Sequence, residues 1–296
     1  MDKEPESKSL LERLTEELPK GSLVFPRLPC ALLSRQPCCR GRGYVISPRG
    51  PYAYAELCSC VQNCKSCHGK AQRLMQGTVR SCRSPGPRRV LNLFNQAKIP
   101  ARYAGAHLGV FRNMTGNCLL ALQDVRRWLH NYHNMKERKG LILTGPVGVG
   151  KTYMITAIAK ALTEKNVSVR FVDFFHLISQ IKSAFMEGRS EQEILAPLIA
   201  VEVLIIDELG KGRNTDFEAT VLDQLVTYRY NENKILVAST NLSIKPISKE
   251  EEDPSSFNYL GSLETRIGKR IYSRLLETTK FVEMDGEDFR RQAMKT

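Results

Sequence analysis

The stretch "GPVGVGKT" at residues 145–152 decides the fold of this chain. It matches the pattern G-x-x-x-x-G-K-[ST] at every position, after a short apolar run, "GLILT", and before a segment with helical spacing. Glycines in this pattern let consecutive backbone N–H groups close around phosphate oxygens, and the N-terminus of the following helix adds partial positive charge. The stretch therefore predicts a phosphate-binding loop between a buried strand and a helix.

The side chains of this loop have predicted roles in holding a nucleotide. Lys151 can reach the β- and γ-phosphates of ATP, and the hydroxyl group of Thr152 can bind Mg²⁺. We therefore expect ATP and Mg²⁺ to bind at this loop. The other residues predicted to contact the nucleotide are Gly145, Pro146, Gly148, Val149, Gly150 and Tyr153.

A second motif, "VLIIDELG" at residues 203–210, supplies two acidic residues after four apolar ones. The apolar run predicts a buried strand, and ligands of open parallel sheets bind at the carboxyl ends of the strands. We expect Asp207 to hold Mg²⁺, directly or through water, together with Thr152. Glu208 would polarise the attacking water as a general base.

Two later segments add polar residues that ATP hydrolysis could use. "ILVASTNL" at residues 235–242 indicates a strand ending at Asn241, which could orient the water and contact the γ-phosphate. "RIGKRIYSRL" at residues 266–275 puts Arg270 and Arg274 one helical turn apart. P-loop enzymes often need an arginine from a neighbouring subunit to stabilise transition-state charge. We predict that Arg270 is this residue, with Arg274 as the second choice.

The spacing of apolar residues predicts alternating strands and helices beyond residue 90. Helices are expected at residues 117–133, 151–164, 174–185 and 218–230. Strands are expected at residues 140–145, 167–174, 201–207 and 234–240. This alternation predicts an α/β fold of the three-layer P-loop type, in which helices cover both faces of a parallel sheet.

The first 89 residues differ in composition, and we expect a separate module there. The leucines of residues 5–18 lie near helical spacing, which predicts a short N-terminal helix. Residues 27–89 carry twelve lysines and arginines against one acid, Glu56, so most of the net charge of +13 lies there. Such a basic strip suits a phosphate backbone or an acidic partner. The predicted domains are residues 1–89 and residues 90–296.

Eight of the nine cysteines lie within residues 30–82, and they predict a zinc-type metal site. In a reducing cytosol, clustered cysteines are more often metal ligands than structural disulfides. One arrangement combines a thiolate of residues 38–39 with both cysteines of "CSC" at residues 58–60 and one more, and another uses the four cysteines of residues 58–67. An iron–sulfur cluster, which also takes four thiolates, and free thiols stay open as alternatives. The candidate ligands are Cys38, Cys39, Cys58, Cys60, Cys64 and Cys67.

The ordered set "GPVGVGKT", "VLIIDELG", "ASTNL" and "RIGKRIYSRL" resembles the AAA+ ATPases of the DnaC/DnaI helicase-loader and IstB transposition-helper group. The similarity covers roughly residues 97–291, including "IPARYAGAHLGVF" at residues 99–111, and the segment with "YRYN" is typical of this group. The resemblance implies an AAA+ core without a separate helical lid. It also implies a homo-oligomer, assembled so that an arginine of one subunit completes the site of the next.

The resemblance also implies roles for single residues. Near the end of the chain, "GEDFRR" resembles the family's closing D-[FY]-R, which implies that Arg290 replaces the sensor-2 arginine. Carried over by position, the remaining roles are Walker A for Lys151 and Thr152, Walker B for Asp207 and Glu208, sensor 1 for Asn241 and the arginine finger for Arg270.

The N-terminal module has a counterpart in the same group, because loaders of the DnaI kind carry a zinc-binding domain that docks on the replicative helicase. Related ATPases show C-x-x-C-x-G-x-G-[YF] followed by C-x-C, and "CCRGRGYV" with "CSC" matches most of this pattern. The expected first cysteine falls at Gln36, so that Cys38 or Cys30 would have to replace it. This departure leaves the set of zinc ligands open.

These features together predict an ATP-dependent accessory protein of DNA replication that resembles a replicative helicase loader. ATP binding would assemble subunits on a helicase or on single-stranded DNA, and hydrolysis would release them. Lys182, Lys211 and Arg213 are candidates for DNA contacts because of their charge. The alternatives are an IstB-like transposition helper and a nucleotide-gated adaptor that hydrolyses little ATP.

The hydropathy pattern predicts a cytoplasmic protein without a membrane partner. No apolar run approaches the roughly 18 to 20 residues of a membrane span. The N-terminus "MDKEPESKSLLERL" is charged and lacks the apolar core of a secretory signal.

Overall fold

The computed structural model describes residues 39, 42–62, 72–75, 78–81, 88–113, 117–213, 215–244, 261–286 and 288–289. The chain divides into two compact units, Met1–Val45 with Leu57–Pro87 and Ile46–Glu56 with Arg88–Thr296. The predicted helix at residues 5–18 lies outside the described residues. In this division Ile46–Glu56 belongs to the second unit, whereas the sequence analysis placed it in the first domain. The domains 1–89 and 90–296 therefore stay a proposal.

The cysteine-rich part of the chain contains short elements. They are β1 (Tyr44–Arg49), β2 (Tyr52–Leu57), α1 (Ser59–Gln62), β3 (Gln72–Met75) and β4 (Thr78–Ser81). β1 and β2 form one two-stranded sheet, and β3 and β4 form another, antiparallel one. The sequence analysis did not predict these strands, because the segment is rich in Pro, Gly, Arg and Cys and has no lasting apolar periodicity.

The second unit continues with longer helices and a larger sheet. Its elements after β1 and β2 are α2 (Arg88–Ala97), α3 (Asn117–Asn131), β5 (Gly140–Thr144), α4 (Lys151–Glu164), β6 (Val169–Asp173), α5 (Phe174–Met186), α6 (Glu191–Ala200), β7 (Val203–Asp207), α7 (Asp216–Asn231), β8 (Ile235–Thr240), α8 (Leu263–Ile267), α9 (Lys269–Thr278) and β9 (Thr279–Glu283). Within the described ranges, no helix is long and apolar enough to cross a membrane.

Five of these strands form one parallel sheet in the order β6-β7-β8-β5-β9. This confirms the predicted α/β fold with a parallel sheet. The sequence did not predict β9 or α6. The strand β9, "TKFVE", has two apolar residues in five, and α6 contains Pro197, which weakens the helical pattern.

Helices cover both faces of the sheet. Ile142, Leu204 and Ile206 belong to one buried cluster that also contains residues of α5, α6, α7, α8 and α9. Helices α2 and α4 also contact the sheet, and none of their residues belongs to this cluster. Because strand side chains alternate between faces, α2 and α4 cover the opposite face, and the sheet is the middle of three layers.

The "YRYN" segment at the end of α7 contains a buried arginine that joins three elements. Arg229 is 2% exposed, and its Nη1 donates to the carbonyl oxygens of Leu198 (3.0 Å) and Val201 (3.2 Å). Its Nη2 donates to those of Glu202 (2.7 Å) and Ile235 (2.6 Å). Burial lowers the pKa of Arg229 to about 10, which leaves it charged at neutral pH. This side chain therefore ties α6, the residue before β7 and the start of β8 together.

Residues Ile46–Glu56, which form most of the β1–β2 hairpin, make hydrogen bonds to residues 95–101 of the same unit. The N–H of Ala53 donates to the carbonyl oxygen of Ile99 at 2.7 Å. The side-chain amide of Asn95 on α2 accepts from the N–H of Ala55 (2.8 Å) and donates to the carbonyl of the same residue (3.1 Å). A segment from within the cysteine-rich sequence thus packs on the "IPARY" region of the second unit.

The carboxyl ends of the parallel strands meet at one edge of the sheet. Thr144 at the end of β5 is the register partner of Thr240 at the end of β8, and Asp173 of β6 is the partner of Asp207 of β7. The loop at residues 145–150 leaves β5 at this edge and leads into α4. The predicted nucleotide-binding residues on these strands and loops are therefore brought to the same edge.

Candidate nucleotide-binding site

Two glycines of the loop occupy positions that a side chain could not. Gly145 has a φ of 146°, and a Cβ atom there would lie 1.9 Å from the carbonyl oxygen of Met284. Gly148 has a φ of 90°, and a Cβ atom there would lie 2.1 Å from Oδ1 of Asp288. The N–H of Phe289 also donates to the carbonyl oxygen of Gly148 at 3.3 Å. The loop therefore packs closely against residues 284 and 288–289, and glycine fits at both positions because it has no Cβ atom.

The ammonium group of Lys151 lies against the loop in which a phosphate group would bind. Lys151 is 7% exposed, and its Nζ donates to the carbonyl oxygens of Gly145 (2.7 Å) and Pro146 (2.5 Å). A buried ammonium group needs such partners, because the loss of water would otherwise destabilise its charge. The predicted phosphate-binding lysine is thus held at the loop.

Asp207 connects the loop helix to the neighbouring strand. Its Oδ1 accepts hydrogen bonds from the hydroxyl groups of Thr152 (3.0 Å) and Ser239. Burial raises the pKa of the Asp207 carboxyl group, while the two hydroxyl donors act in the opposite direction. The pair predicted to hold Mg²⁺ therefore lies within hydrogen-bonding distance. The sequence analysis missed Ser239, although its position two residues before Asn241 puts it on the same strand end.

Glu208 and Asn241 lie at the same edge of the sheet. Glu208 follows β7 with a φ of 56°, a left-handed conformation that few residues other than glycine adopt. Its N–H donates to the hydroxyl oxygen of Ser239 at 3.1 Å, and its carboxylate forms an ion pair with Lys211. Asn241 directly follows β8, the strand between β5 and β7. The fold thus places both residues near the loop.

Arg270 and Arg274 both lie on α9, but they differ in exposure. The side chain of Arg270 is 69% exposed, and its Nε is 3.6 Å from Oδ1 of Asp223. Arg274 is 21% exposed, its Nη1 is 3.3 Å from the same oxygen, and it also donates to the hydroxyl of Thr227 and lies over the ring of Tyr230. Arg274 is therefore part of the packing between α9 and α7, whereas Arg270 is presented to solvent.

The remaining predicted contact residues have different surroundings. Val149 is fully buried, so that its backbone rather than its side chain is available to a nucleotide. The ring of Tyr153 makes edge contacts with Phe111 (5.2 Å between centroids) and Tyr103 (6.4 Å). Its hydroxyl oxygen accepts from the N–H of His107 at 3.3 Å. Tyr153 therefore attaches the segment at residues 99–111 to the start of α4.

The predicted zinc ligands are described in part. Cys39 and Cys58 are buried against each other in the first unit, and Sγ of Cys39 accepts a hydrogen bond from the N–H of Gly43 at 3.2 Å. Among the described residues, no group of three or more potential ligands is arranged to hold a metal ion. The zinc site therefore stays a prediction. Positions outside the described residues are Cys38, Cys64, Cys67, Arg290 and the side chain of Cys60.

Comparison with known proteins identifies relatives that match between half and two thirds of this chain. The ATP-binding protein assigned to insertion sequence IS232 of Bacillus thuringiensis subsp. berliner is 28% identical over 156 residues, which are 53% of this chain and 57% of that protein. The replicative helicase loader DnaI of Bacillus subtilis (strain 168) is 27% identical over 173 residues, 58% of this chain and 54% of DnaI. The chain thus spans about half the length of these curated relatives.

A solved structure and a family model agree with these relatives. The crystal structure of the DnaC helicase loader matches with a TM-score of 0.52 and 29% identity, over 62% of this chain and 99% of that one. The model of the family described as IstB-like ATP binding protein matches residues 87–296, which is more than half of the chain. The resemblance inferred from the motifs is confirmed, and the chain belongs to the IstB-like ATP-binding family.

Proposed function

We propose that the chain is an ATP-hydrolysing accessory protein of DNA replication that acts as a replicative helicase loader. The observation that carries this proposal is the arrangement at the carboxyl edge of the sheet, where Lys151 bonds to the loop, Asp207 bonds to Thr152 and Glu208 follows Asp207. The relatives DnaI and DnaC, which are replicative helicase loaders, support the choice of process.

In this proposal, the loop and two side-chain oxygens bind ATP with its metal ion. Backbone N–H groups and the ammonium group of Lys151 bind the phosphates, and Lys151 exchanges the carbonyl oxygens of Gly145 and Pro146 for phosphate oxygens. Thr152 and Asp207 would hold Mg²⁺, because their oxygens are adjacent and of the hard type that this ion prefers. When bound, Mg²⁺ neutralises charge on the β- and γ-phosphates.

Hydrolysis then requires a base and a positioned water molecule. Glu208 would accept a proton from the water while the oxygen of this water bonds to the γ-phosphorus. The bond from that phosphorus to the bridging oxygen then breaks. Asn241, at the end of the neighbouring strand, would orient the same water through its side-chain amide. The products are ADP and inorganic phosphate.

The proposal assigns Arg270 to the site of a neighbouring subunit. Its side chain is 69% exposed on α9, so that it is available to another chain. An arginine supplied in this way stabilises charge in the transition state of phosphoryl transfer. ATP binding would therefore favour assembly into an oligomer, on the helicase or on single-stranded DNA, and hydrolysis would favour release.

Two substitutions test the ATPase part of this proposal. Lys151→Ala should abolish binding of a fluorescent ATP analogue, whereas Glu208→Gln should preserve binding and lower phosphate release by about 10²- to 10⁴-fold. Glu137→Gln is a matched control, because Glu137 is an exposed carboxylate paired with a lysine before β5. Hydrolysis by Glu208→Gln at the wild-type rate would show that Glu208 is not the base. A wild type that hydrolyses little ATP, with partner activity fully kept by Glu208→Gln, would instead favour an adaptor that responds to ATP binding alone.

A second candidate function is support of a transposase, and the relative from insertion sequence IS232 favours it. Both functions use the same ATPase residues, so that the partner protein distinguishes them. Full-length Glu208→Gln protein with ATP should capture the host's replicative helicase in a co-precipitation assay. Capture of a transposase encoded beside the gene, without the helicase, would replace the loader proposal by the transposition proposal.

We also propose a zinc ion in the first unit, with Cys39 and Cys58 as two of its ligands. The two thiols are buried together, and an N–H donated to sulfur is the kind of outer contact that stabilises a metal-bound thiolate. Metal analysis of the full chain should find about one zinc ion per chain. Cys39→Ser and Cys58→Ser should each lower this content, whereas Cys118→Ser should not. Iron instead of zinc, or an unchanged content, would contradict the assignment.

A further inference from the structure

The described residues after β9 lie along the phosphate-binding loop. We call them the strap: residues 284–286 and 288–289. The N–H of Met284 donates to the carbonyl oxygen of Thr144, the last residue of β5, at 2.7 Å. Further on, the N–H of Phe289 donates to the carbonyl oxygen of Gly148 at 3.3 Å. The strap is therefore hydrogen-bonded to the strand before the loop and to the loop itself.

A buried thiol group on α3 contacts both the strap and the loop. Cys118 is 1% exposed, and its Sγ lies within hydrogen-bonding distance of the carbonyl oxygens of Asp285 (3.0 Å) and Val149 (3.9 Å). Asp285 belongs to the strap and Val149 to the loop. A Cβ atom on Gly286 would lie 3.7 Å from the same sulfur atom. The strap is thus packed against α3 as well as hydrogen-bonded near its two ends.

The strap brings a carboxylate onto a glycine of the loop. Gly148 has a φ of 90°, and a Cβ atom built there would overlap Oδ1 and Cγ of Asp288. The side chain of Asp288 therefore occupies the space that a side chain on residue 148 would take, and its negative charge lies directly against the loop backbone. Asp288 is half-buried, so that water screens this charge less than it would at the open surface.

The proposed nucleotide would carry its own negative charge to the same loop. Backbone N–H groups of the loop and the N-terminus of α4 attract the phosphate groups of ATP. A carboxylate beside Gly148 is attracted by the same groups, and it repels phosphates that come close. Each further phosphate adds negative charge, so that the repulsion should increase from AMP to ADP and from ADP to ATP. An acidic side chain at this place therefore opposes the binding that Lys151 favours.

We propose that Asp288 lowers the affinity of the loop for nucleotides, and that it does so in proportion to the charge of their phosphates. This inference rests on the proposed function, in which ATP binds at residues 145–152. In the chain without nucleotide, the carboxylate of Asp288 is an anion already placed at the loop, and bound phosphates either displace it or remain beside it. A protein that cycles between the ATP-bound and the free state needs ADP to dissociate, and this repulsion would favour its release.

The contacts of the strap separate the charge of Asp288 from the structure that holds it. The bonds of Met284 and Phe289 to the loop region use backbone N–H groups, and Cys118 contacts a backbone carbonyl oxygen. None of these three contacts involves the carboxylate of Asp288. An asparagine at this position keeps the size of the side chain and removes its charge, so that a change in nucleotide affinity then reports the charge alone.

The test is equilibrium binding of ATP, ADP and AMP to the full chain at a constant, saturating concentration of Mg²⁺. Asp288→Asn should lower the Kd for ATP by about tenfold, which corresponds to about 1.4 kcal/mol. The Kd for ADP should fall by about threefold and that for AMP by less than about twofold, because fewer charges are repelled. Salt at about 1 M should remove most of the gain for ATP, since it screens the repulsion. Asp288→Ser, which also removes the charge, should give the same order of gains.

The control for general charge effects is Glu283→Gln, which removes one negative charge at the end of β9. Glu283 is exposed and is the register partner of Thr144, so that it lies at the same edge of the sheet as the loop. It should change the Kd for ATP by less than about twofold, since water and salt screen an exposed charge. An unchanged or higher Kd of Asp288→Asn for ATP would overturn the inference and leave the proposed function intact, and so would equal gains for ATP and AMP. Failure of the wild type to bind any of the three nucleotides would overturn both.

Discussion

The nucleotide-binding edge of the sheet and the outer face of α9 serve one proposed reaction, yet they are built in opposite ways. At the edge, Lys151 is 7% exposed with two carbonyl partners, and Asp207 is 6% exposed with two hydroxyl partners. On α9, Arg270 is 69% exposed, and its ion pair with Asp223 measures 3.6 Å. The first region is complete within one chain, whereas the second presents its charge to solvent.

The difference follows from the cost of burying charge. A charged group that loses its water must gain polar partners, and these partners then hold it in one position. An exposed guanidinium group carries no such requirement, so that it stays free to meet an anion on another molecule. The phosphate-binding half of the site is therefore organised within one chain, while in the proposed mechanism the arginine half depends on assembly.

The largest effect is expected when the exposed arginine of α9 is removed. Arg270→Ala should lower kcat for ATP hydrolysis by about 10³-fold, which is typical of a missing arginine finger. If Arg270 acts on the neighbouring subunit, a mixture of Arg270→Ala and Glu208→Gln chains should recover activity. In the mixed oligomer, some sites combine an intact Glu208 with an intact Arg270. A mixture as inactive as its components would show that Arg270 acts within its own chain or outside the reaction.

A smaller effect is expected when the shape of the buried half is disturbed. Gly145→Ala should lower the free energy of unfolding by about 3 kcal/mol, because its Cβ atom would meet the backbone oxygen of Met284. Urea denaturation of both proteins measures this change. Gly105→Ala is the matched control, since a Cβ atom there has no heavy atom within 4 Å. Equal stability of the two variants would contradict the close packing of the loop against residue 284.

The two arginines of α9 provide a third test. Arg274→Met should lower the free energy of unfolding by about 1 to 2 kcal/mol, because it removes the contacts with Asp223, Thr227 and Tyr230. Arg270→Met should change it by less than about 0.5 kcal/mol, as expected for an exposed side chain. Thermal and urea unfolding would measure both values. A larger loss for Arg270→Met would contradict the difference in packing between these residues.

The smallest expected effect concerns the charge of Asp207. Burial raises the pKa of its carboxyl group in the folded state, so that the ionised form destabilises the fold at neutral pH. Asp207→Asn should therefore raise the free energy of unfolding by about 1 kcal/mol at pH 7 in the absence of nucleotide. This gain in stability should vanish at a pH below the pKa that Asp207 has in the unfolded chain, because the carboxyl group is then neutral in both states. A loss of stability at pH 7 would contradict this account.

The site was predictable to the extent that local patterns describe it. The loop at residues 145–152 and the acids after β7 were expected, because a phosphate-binding turn and a buried strand each leave a continuous signature. Ser239, which binds Asp207, and Arg266, which holds the loop after Glu208, were not expected. Their contacts join residues 32 and 56 positions apart, and no local spacing indicates such pairs.

The fold, like the site, has elements that local patterns predicted and others that depend on contacts between distant segments. The four apolar strands were predicted, but β9 was not, since its pairing with β5 compensates for a short and partly polar sequence. The hairpin at Ile46–Glu56 was assigned by composition to the cysteine-rich module, yet its backbone pairs with Ile99 in the second unit. Composition describes a segment, whereas hydrogen bonding between distant segments decides where it packs.

By itself, the sequence determined that this chain has a parallel sheet with a phosphate-binding loop and two acids at its carboxyl edge. These features follow from glycine geometry and apolar periodicity, which act over a few neighbouring residues. Only the tertiary structure decided that Arg274 is packed and Arg270 exposed, and that Lys211 holds Glu208. Two arginines four residues apart are equivalent in the sequence, and they become different because a folded neighbour, α7, lies against one more than the other.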